Sequence, residues 1–347
     1  GIRDLVRSRG LGDVYKRQLL DKITGALRAT QPDEEAILPS DTRIETAPYQ
    51  PATNRQSVEL RKSGRPQCTL GDNVVLNGTG LLSGRNTGII LSPAPPNSGI
   101  QFQTLDGISI PGRITSLEDY QHAQSQQSFT ANSTVLAREN RRVRTVEHLM
   151  AAFSMAGLDN VLIKADEEIP NVDGSALDFA RLLDEVGTVD QDAEVTEAVI
   201  CEKLSIGEED PDQKYLYVEP YDGFEVTMRV NYPPPILEQQ LTFNAEQDSF
   251  LNEIAPARSF NTFQNIDMAQ KMGKVGSGYL NSHIIIYDGK VINTELRFTD
   301  EFVRHKILDL IGDLFLLGYP LCGRVVANMT SHGYNQALVQ KMYSCFA

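Results

Sequence analysis

The segment FVRHKILDLIGDLFLLG, residues 302–318, constrains the fold more than any other part of the chain. Its apolar residues recur at helical spacing, which predicts an amphipathic α-helix. With about 100° of rotation per residue, Asp309 lies about 40° from His305 around the helix, and Asp313 lies about 80° from it. One imidazole and two carboxylates therefore share one face, while the opposite face is apolar and must pack against a core.

This polar face has two interpretations. A lone H-x-x-x-D pattern is short, and a charged helix face is usually a solvated one. However, a His and an Asp at positions i and i+4 can direct their donor atoms at one ion. The sequence TVEHLMAA places His148 at the start of another apolar helix. His148, His305 and Asp309 would supply three nitrogen and oxygen ligands, which is the composition of a catalytic zinc site with water in the fourth position.

Two more side chains fit such a site. Glu147 precedes a proposed ligand and could accept a proton from the water. His332 follows the strand-like RVVANMT and precedes a glycine, a loop position that is expected to expose its imidazole. A surface histidine fits that position equally well. Asp313 is then expected to orient His332 and keep it protonated, because a neighbouring carboxylate favours the imidazolium. Such a cation would stabilise an oxyanion and could donate a proton to a leaving amine.

Composition limits the class of protein. The chain has 347 residues, 41% of them hydrophobic and 22% charged, which suits a soluble protein large enough for two domains. The formal net charge of -14 argues against general binding of nucleic acid. No apolar run approaches the roughly 20 residues that span a bilayer, and no signal-peptide pattern is present. We therefore expect a cytoplasmic protein without a transmembrane segment.

The order of the predicted elements indicates an α+β fold in two halves. We predict an irregular leader over residues 19–67, an N-terminal α+β domain over 68–194 and a C-terminal α+β domain over 195–347. Residues 1–18 end in DVYKRQ, which resembles the translation of a transposon adapter used in sequencing libraries. We interpret this segment as an assembly artefact and exclude it from fold reasoning.

Local signals predict where two helices begin and end. The helix that carries Glu147 and His148 has Thr145 as its expected N-cap and Gly157 as its expected stop. A further helical stretch is predicted around residues 250–260.

Several segments together resemble a known family: TVEHLMAAFSMAGLDNVLI, IPNVDGSA, ARSF, LRFTDEFVRHKILDLIGDLFLLG and SHGYNQAL, in this order. They are similar to the UDP-3-O-acyl-N-acetylglucosamine deacetylases of bacterial lipid A biosynthesis, over roughly residues 69–342. The resemblance implies a zinc metalloamidase, a hydrolase that releases acetate from a UDP-linked acylated glucosamine, and Fe²⁺ can occupy the same ligands. It also implies two β-α-α-β sandwich domains with the active site between them. A β-α-β insert near residues 260–287 would form an apolar passage for the acyl chain.

The resemblance carries roles onto individual residues. His148, His305 and Asp309 match the zinc ligands, and the other matches are Glu147 as general base, His332 as its charged partner and Asp313 as the group that orients His332. Ser259 stands where the family usually has a threonine that hydrogen-bonds the tetrahedral intermediate. Phe260 and Lys306 match positions that line the substrate site, where a lysine can contact an anion. Either Glu147 or His332 could protonate the leaving amine.

Other functions remain open. Leu82 stands where the family commonly has a histidine, and Ser331 where it usually has a glycine, so a divergent paralogue acting on a related nucleotide sugar is one alternative. A non-catalytic binding protein of the same fold is another, although every proposed ligand and the base are retained. A metallopeptidase is disfavoured because H-E-x-x-H is absent. We expect a monomer with peripheral contact with the inner membrane, where its acylated substrate would lie.

Overall fold

The structure is a computed structural model that describes residues 57–118, 133–271, 280 and 282–346. Three predictions fall wholly or partly outside the described residues: the artefact over 1–18, the part of the leader over 19–56, and the parts of the insert over 272–279 and at 281. The described chain mixes sheets with helices, so the predicted α+β class is confirmed.

The strands and helices are numbered in chain order. The strands are β1 (Val58–Leu70), β2 (Val74–Thr79), β3 (Asn86–Pro93), β4 (Ile100–Gln103), β5 (Ser109–Pro111), β6 (Val135–Arg138), β7 (Arg141–Arg144), β8 (Val161–Ala165), β9 (Thr188–Ile200), β10 (Leu204–Ile206), β11 (Tyr215–Glu219), β12 (Phe224–Tyr232), β13 (Leu237–Asn244), β14 (Phe260–Thr262), β15 (Ile284–Tyr287), β16 (Lys290–Val291) and β17 (Leu321–Asn328). The α-helices of the described residues are α1 (Glu147–Met155), α2 (Leu177–Val186), α3 (Phe263–Lys271), α4 (Glu301–Phe315) and α5 (His332–Tyr343).

The largest sheet joins the first described strand to the C-terminal half of the chain. Its strands follow the order β1-β9-β17-β11-β10, with β12 beside β17 and β13 beside β12. The predicted leader is therefore too long, because β1 begins at Val58 and pairs antiparallel with β9. Most side chains of β1 are at least partly exposed, so the strand has no apolar alternation that a sequence could reveal. The predicted domain boundary near residue 195 falls inside β9 and remains a prediction.

A second sheet has the order β2-β3-β8-β4-β5, in which β8 runs antiparallel to β3 and parallel to β4. One apolar cluster includes side chains from this sheet, from the largest sheet and from the helices, among them Phe102, Phe153, Phe243 and Phe302. Helices α1 and α4 pack against each other, and α4 also contacts β12 and β13. The helix pair thus lies in the core, where it can hold side chains rigidly.

Helices α1 and α4 approach most closely at Gly312. A Cβ atom at this position would overlap the carbonyl oxygen of Glu147, so only glycine allows the contact. The predicted N-cap of α1 is wrong, because Val146 is the N-cap residue. Thr145 has a φ of 59°, and its buried hydroxyl has no hydrogen-bond partner within the described segments. The predicted stop is confirmed, since Gly157 follows the helix with a φ of 65°.

Two strands of the small sheet β14-β15-β16 lie in the segment predicted to hold the insert, and β16 follows it in the chain. Strands β14 and β15 are parallel, and α3 lies between them in the chain. The helix predicted around residues 250–260 is wrong beyond its first turn. A π-helical turn covers Phe250–Ile254, and Pro256 cannot donate the amide hydrogen bond that would continue a helix. Among the described residues, the helices are too short or too polar to span a bilayer.

Candidate metal centre

The sequence-predicted ligands lie together between α1 and α4. One donor atom from each of His148, His305 and Asp309 lies within 4.8 Å of the others. Asp309 Oδ1 is 3.4 Å from His305 Nε2 and 3.5 Å from His148 Nε2. The three residues are only 4 to 5% exposed. The polar face of α4 is therefore buried, which excludes the interpretation as a solvated helix face.

The protonation states of these side chains suit metal binding. Burial lowers the pKa of His305 to about 4, so this imidazole is neutral at neutral pH. Its Nδ1 lies 3.1 Å from the Ala257 carbonyl oxygen, to which the neutral ring donates, and Nε2 keeps its lone pair. Burial raises the pKa of Asp309, but His305 and His148 outweigh it and hold that pKa well below its usual range. A neutral imidazole and an ionised carboxylate are the forms that bind metal ions.

The cluster also has interactions left to make. His148 Nδ1 is buried without a hydrogen-bond partner in the described part of the chain. The nitrogens that face Asp309 are His148 Nε2 and His305 Nε2, at 3.5 and 3.4 Å from Asp309 Oδ1, longer than the distance of about 2.7–3.2 Å usual for such hydrogen bonds. This spacing leaves room for a divalent cation to bind all three side chains, because imidazole and carboxylate are ordinary zinc ligands. The residues present therefore fit a metal ion.

Glu147 is the first residue of α1 and is 2% exposed. Its Oε2 accepts a hydrogen bond of 2.9 Å from the backbone N–H of Thr134. Burial raises the pKa of Glu147, and the imidazolium of His332 opposes that effect in part. A buried carboxylate whose pKa is raised toward neutrality is suited to accepting a proton from water.

His332 is placed differently from its prediction. The sequence suggested an exposed loop position, whereas His332 is the first residue of α5 and is 7% exposed. Its Nδ1 donates to Asp313 Oδ2 at 2.7 Å, and Asp313 is fully buried. Burial alone lowers the pKa of His332, but the charge of Asp313 and this hydrogen bond outweigh it and raise the pKa to about 10. At neutral pH the ring is therefore an imidazolium.

The predicted substrate-binding residues flank the cluster. The Phe260 ring lies 6.1 Å from the His305 ring and packs edge-on against Phe302 at 5.0 Å. Lys306 Nζ is 3.6 Å from Asp309 Oδ2, so its charge faces a proposed ligand.

Ser259 is buried at the end of a loop that leads into β14. Its hydroxyl donates to the carbonyl oxygen of Gly174 at 3.1 Å. To hydrogen-bond a reaction intermediate, the hydroxyl would have to exchange this partner. Leu82, which departs from the family's pattern, packs against a small cluster with Leu81, and its backbone N–H donates to Glu168.

Sequence reasoning missed three side chains that surround Asp313. Thr134 donates to Asp313 Oδ1 at 2.5 Å, Asn335 Nδ2 donates to Oδ2 at 2.9 Å, and Gln336 Nε2 donates to the Thr134 hydroxyl at 3.1 Å. Asn335 and Gln336 follow His332 by three and four residues, so helical spacing could have placed them on its face. For Thr134 the sequence holds no comparable signal.

A buried histidine was also missed. His283 is 7% exposed, and its Nδ1 lies 3.3 Å from Ser282 Oγ. Burial, as the largest cause, holds the pKa of His283 well below its ordinary value. This ring is therefore neutral and lies within electrostatic range of the proposed ligands.

A buried His–His–Asp cluster beside a buried carboxylate and an imidazolium, set between helices of an α+β fold, is the arrangement of a metal-dependent hydrolase. The family can be given as well. The chain belongs to the family of UDP-3-O-acyl N-acetylglycosamine deacetylases, whose model matches residues 67–344.

Relatives from several bacteria carry the name UDP-3-O-acyl-N-acetylglucosamine deacetylase. The protein of Neisseria meningitidis serogroup B (strain ATCC BAA-335 / MC58) is 38% identical over 279 residues, which cover 79% of this chain and 89% of the relative. That of Myxococcus xanthus (strain DK1622) is 36% identical over 288 residues, covering 82% and 88%. That of Anaeromyxobacter dehalogenans (strain 2CP-C) is 38% identical over 280 residues, covering 80% and 87%.

Proposed function

We propose that this protein hydrolyses the acetamide of UDP-3-O-acyl-N-acetylglucosamine and releases acetate, as a step of lipid A biosynthesis. The observation that carries the proposal is the buried cluster of His148, His305 and Asp309 with Glu147 adjoining it. Family membership and the names of the relatives support the substrate.

His148, His305 and Asp309 would hold a zinc ion, and the same ligands accept ferrous iron. When bound, zinc lowers the pKa of water toward about 7 and polarises a carbonyl oxygen. The ligand residues need no rearrangement for this role, because His305 is already neutral and its Nδ1 is already occupied by the Ala257 carbonyl. A ligand ring fixed through its second nitrogen is oriented toward the metal.

Glu147 then accepts a proton from the water as the water oxygen attacks the acetamide carbon. The imidazolium of His332 donates a hydrogen bond to the oxygen on which negative charge develops, and Ser259 could add a second one if its hydroxyl turns from Gly174. When the carbon–nitrogen bond breaks, the amine nitrogen takes a proton from Glu147 or from His332. The products are acetate and the free amine, so one water is consumed in each turnover.

The remaining parts of the proposal concern the substrate and the setting. Phe260 would contact the acylated sugar, Lys306 would contact an anionic group, and the insert over residues 260–287 would receive the acyl chain. The α+β fold would consist of two β-α-α-β sandwich domains with the active site between them. The protein would act as a cytoplasmic monomer that contacts the inner membrane peripherally, because an acyl chain favours a lipid surface.

The direct test is acetate release from the acylated nucleotide sugar by purified protein reconstituted with zinc. We expect measurable turnover by the wild-type protein, and Glu147→Ala should reduce it to about 1% of the wild-type rate or less. A nucleotide sugar without the acyl chain and an unrelated peptide panel serve as comparison substrates. Faster turnover of a different nucleotide sugar would identify a divergent paralogue. No acetate release from any of these substrates by metal-loaded protein would leave the non-catalytic alternative.

A further inference from the structure

The backbone of Thr134 forms two hydrogen bonds with residues at the start of α1. Its N–H donates to Glu147 Oε2 at 2.9 Å, and its carbonyl oxygen accepts from the N–H of Val146 at 3.4 Å. The β6–β7 hairpin separates these residues in the chain and returns it to Thr134. Thr134 is only 1% exposed, so its position relative to Glu147 is fixed by buried hydrogen bonds.

The side chain of Thr134 contacts Asp313, the residue that hydrogen-bonds His332. Its hydroxyl oxygen accepts from Gln336 Nε2, an amide nitrogen that can only donate. The hydroxyl hydrogen is therefore available to an acceptor, and Asp313 Oδ1 lies 2.5 Å away. The hydroxyl oxygen also lies 3.3 Å from His332 Nδ1, a longer contact than those that Asp313 makes. The other oxygen of Asp313 accepts from His332 Nδ1 at 2.7 Å and from Asn335 Nδ2 at 2.9 Å.

These bonds form one chain from the proton acceptor to the imidazolium. Glu147 is held by the Thr134 backbone, the Thr134 hydroxyl holds Asp313, and Asp313 holds His332. Rotation of the Asp313 carboxylate would break its short bonds to Thr134 and His332 together, and Asp313 is fully buried. The orientation of His332 relative to Glu147 therefore depends on a residue outside the helices that carry the ligands.

We propose that Thr134 is a positioning residue of the active site: its backbone fixes Glu147 and its hydroxyl fixes Asp313, and through Asp313 it sets where His332 stands relative to Glu147. This inference rests on the proposed deacetylation for its kinetic consequence, although not for its structural one. A purely structural threonine would contribute to folding without changing the rate of the bound complex. A positioning role therefore predicts a lower kcat at unchanged KM, whereas a purely structural role predicts a lower stability at unchanged kcat.

The test compares Thr134→Val, which replaces the hydroxyl by a methyl group, with Thr134→Ser, which keeps the hydroxyl. We expect Thr134→Val to lower kcat by about tenfold to a hundredfold, the scale of a lost hydrogen bond to a charged group, with KM and zinc content unchanged. Thr134→Ser should stay within about threefold of wild type. In an Asp313→Ala background, Thr134→Val should lower kcat by about threefold or less, because only the longer contact of the hydroxyl with His332 Nδ1 would remain.

Thr69→Val is the matched control, because the buried Thr69 hydroxyl also donates one hydrogen bond, to Asn160 O at 2.6 Å, and accepts one, from Ala94 N at 2.9 Å. It should lower the unfolding midpoint without lowering kcat. If Thr134→Val does not fold, Thr134→Ala gives the same comparison with a small cavity instead of a methyl group beside the carboxylate.

Three results would overturn the inference: wild-type kcat in Thr134→Val, an equal loss of kcat in Thr134→Ser, or additive effects with Asp313→Ala. If the wild-type protein released no acetate, the proposed function would fail instead. The inference would then be decided by the same double-mutant cycle measured as unfolding free energy, where independence of Thr134 and Asp313 would reject it.

Discussion

Two buried polar clusters lie one helical turn apart on α4, and they are completed in different ways. The Asp313 cluster, formed by Asp313, His332, Thr134 and Asn335, supplies three donors to one carboxylate at 2.5 to 2.9 Å. In the metal cluster, formed by His148, His305 and Asp309, the closest nitrogen–oxygen distances are longer, at 3.4 and 3.5 Å. Each cluster also holds one buried polar atom without a partner among the described residues, Asn335 Oδ1 in the first and His148 Nδ1 in the second. The clusters therefore differ in their carboxylates: protein donors hold Asp313 at short range, whereas Asp309 and the two imidazoles are spaced in a way that fits a cation.

This difference predicts that only the metal cluster depends on an ion, and His305→Ala should have the largest effect. Purified wild-type protein should hold about one zinc per chain, because three ligands with one open position suit that ion. The variant should lose both the metal and the activity. Zinc should also stabilise wild type by about 4 kcal/mol at a free concentration 1,000-fold above its Kd. Metal analysis and thermal unfolding with and without zinc measure both effects.

Asp313→Ala is the control for this experiment, since it removes a buried polar side chain from the other cluster on the same helix. It should keep the metal and its stabilising effect. Full metal occupancy in both His305→Ala and His148→Ala would show that the assigned site is wrong.

The second prediction concerns Glu147, which adjoins the metal cluster without belonging to it. Glu147→Ala should retain zinc while activity falls by roughly two orders of magnitude or more, the scale expected for a lost general base. Comparing kcat with metal content in one preparation separates the two effects. Normal turnover in this variant would reduce Glu147 to a structural residue at the start of α1.

The third prediction tests the Asp313 cluster through pH. The pKa of His332 is raised to about 10 because Asp313 outweighs the effect of burial. In Asp313→Ala the two largest favourable effects are lost, and only the weaker charges of Asp309 and Glu147 oppose burial. The pKa should therefore fall and the alkaline limb of the activity profile should move to lower pH, at unchanged zinc content. An alkaline limb at the wild-type position would mean that Asp313 does not hold His332 protonated.

The raised pKa of His332 should also affect stability, so the free energy of unfolding should depend on pH. A raised folded-state pKa stabilises the fold fully below the unfolded histidine value of about 6.5, and this stabilisation is lost as pH rises through about 10. The difference in unfolding free energy between wild type and Asp313→Ala should therefore be largest below about pH 6.5 and shrink above it. A constant difference across this range would indicate a loss of packing alone.

Spacing within single elements made part of the site predictable. His305, Asp309 and Asp313 share a helix, so the helical period alone fixes their relative directions. The association of α1 with α4 was suggested by the shared chemistry of their histidines and by the family resemblance, while the reason for their close contact, Gly312, became evident only in the structure. Burial of both faces of α4 also escaped prediction, because an amphipathic pattern resembles a surface helix.

Contacts made by single residues from distant segments could not be predicted. Thr134 reaches Asp313 across 179 positions of sequence, and no periodic pattern surrounds it. Strand β1 likewise depends on hydrogen bonds to β9 and not on an apolar face, so a polar segment was interpreted as a leader. Thr145 failed as a cap because its positive φ differs from the extended conformation usual for a capping residue, and Val146 takes the N-cap position.

The smallest expected effect is that of Ser259, which belongs to neither cluster. Loss of a dedicated oxyanion-hole donor typically lowers kcat by about 10²–10³. The Ser259 hydroxyl donates to the Gly174 carbonyl oxygen at 3.1 Å, so it must give up that hydrogen bond before it can serve an intermediate, and the exchange cancels much of the gain. Ser259→Ala should therefore lower kcat by about tenfold or less, without changing the metal content or moving the alkaline limb. Ser259→Thr, with the side chain usual in the family, should stay within about threefold of wild type. A hundredfold loss in Ser259→Ala would show that the hydroxyl stabilises the oxyanion together with the metal ion and His332. Ser259, which directly precedes β14, would then have to be counted as a third part of the site beside the two clusters.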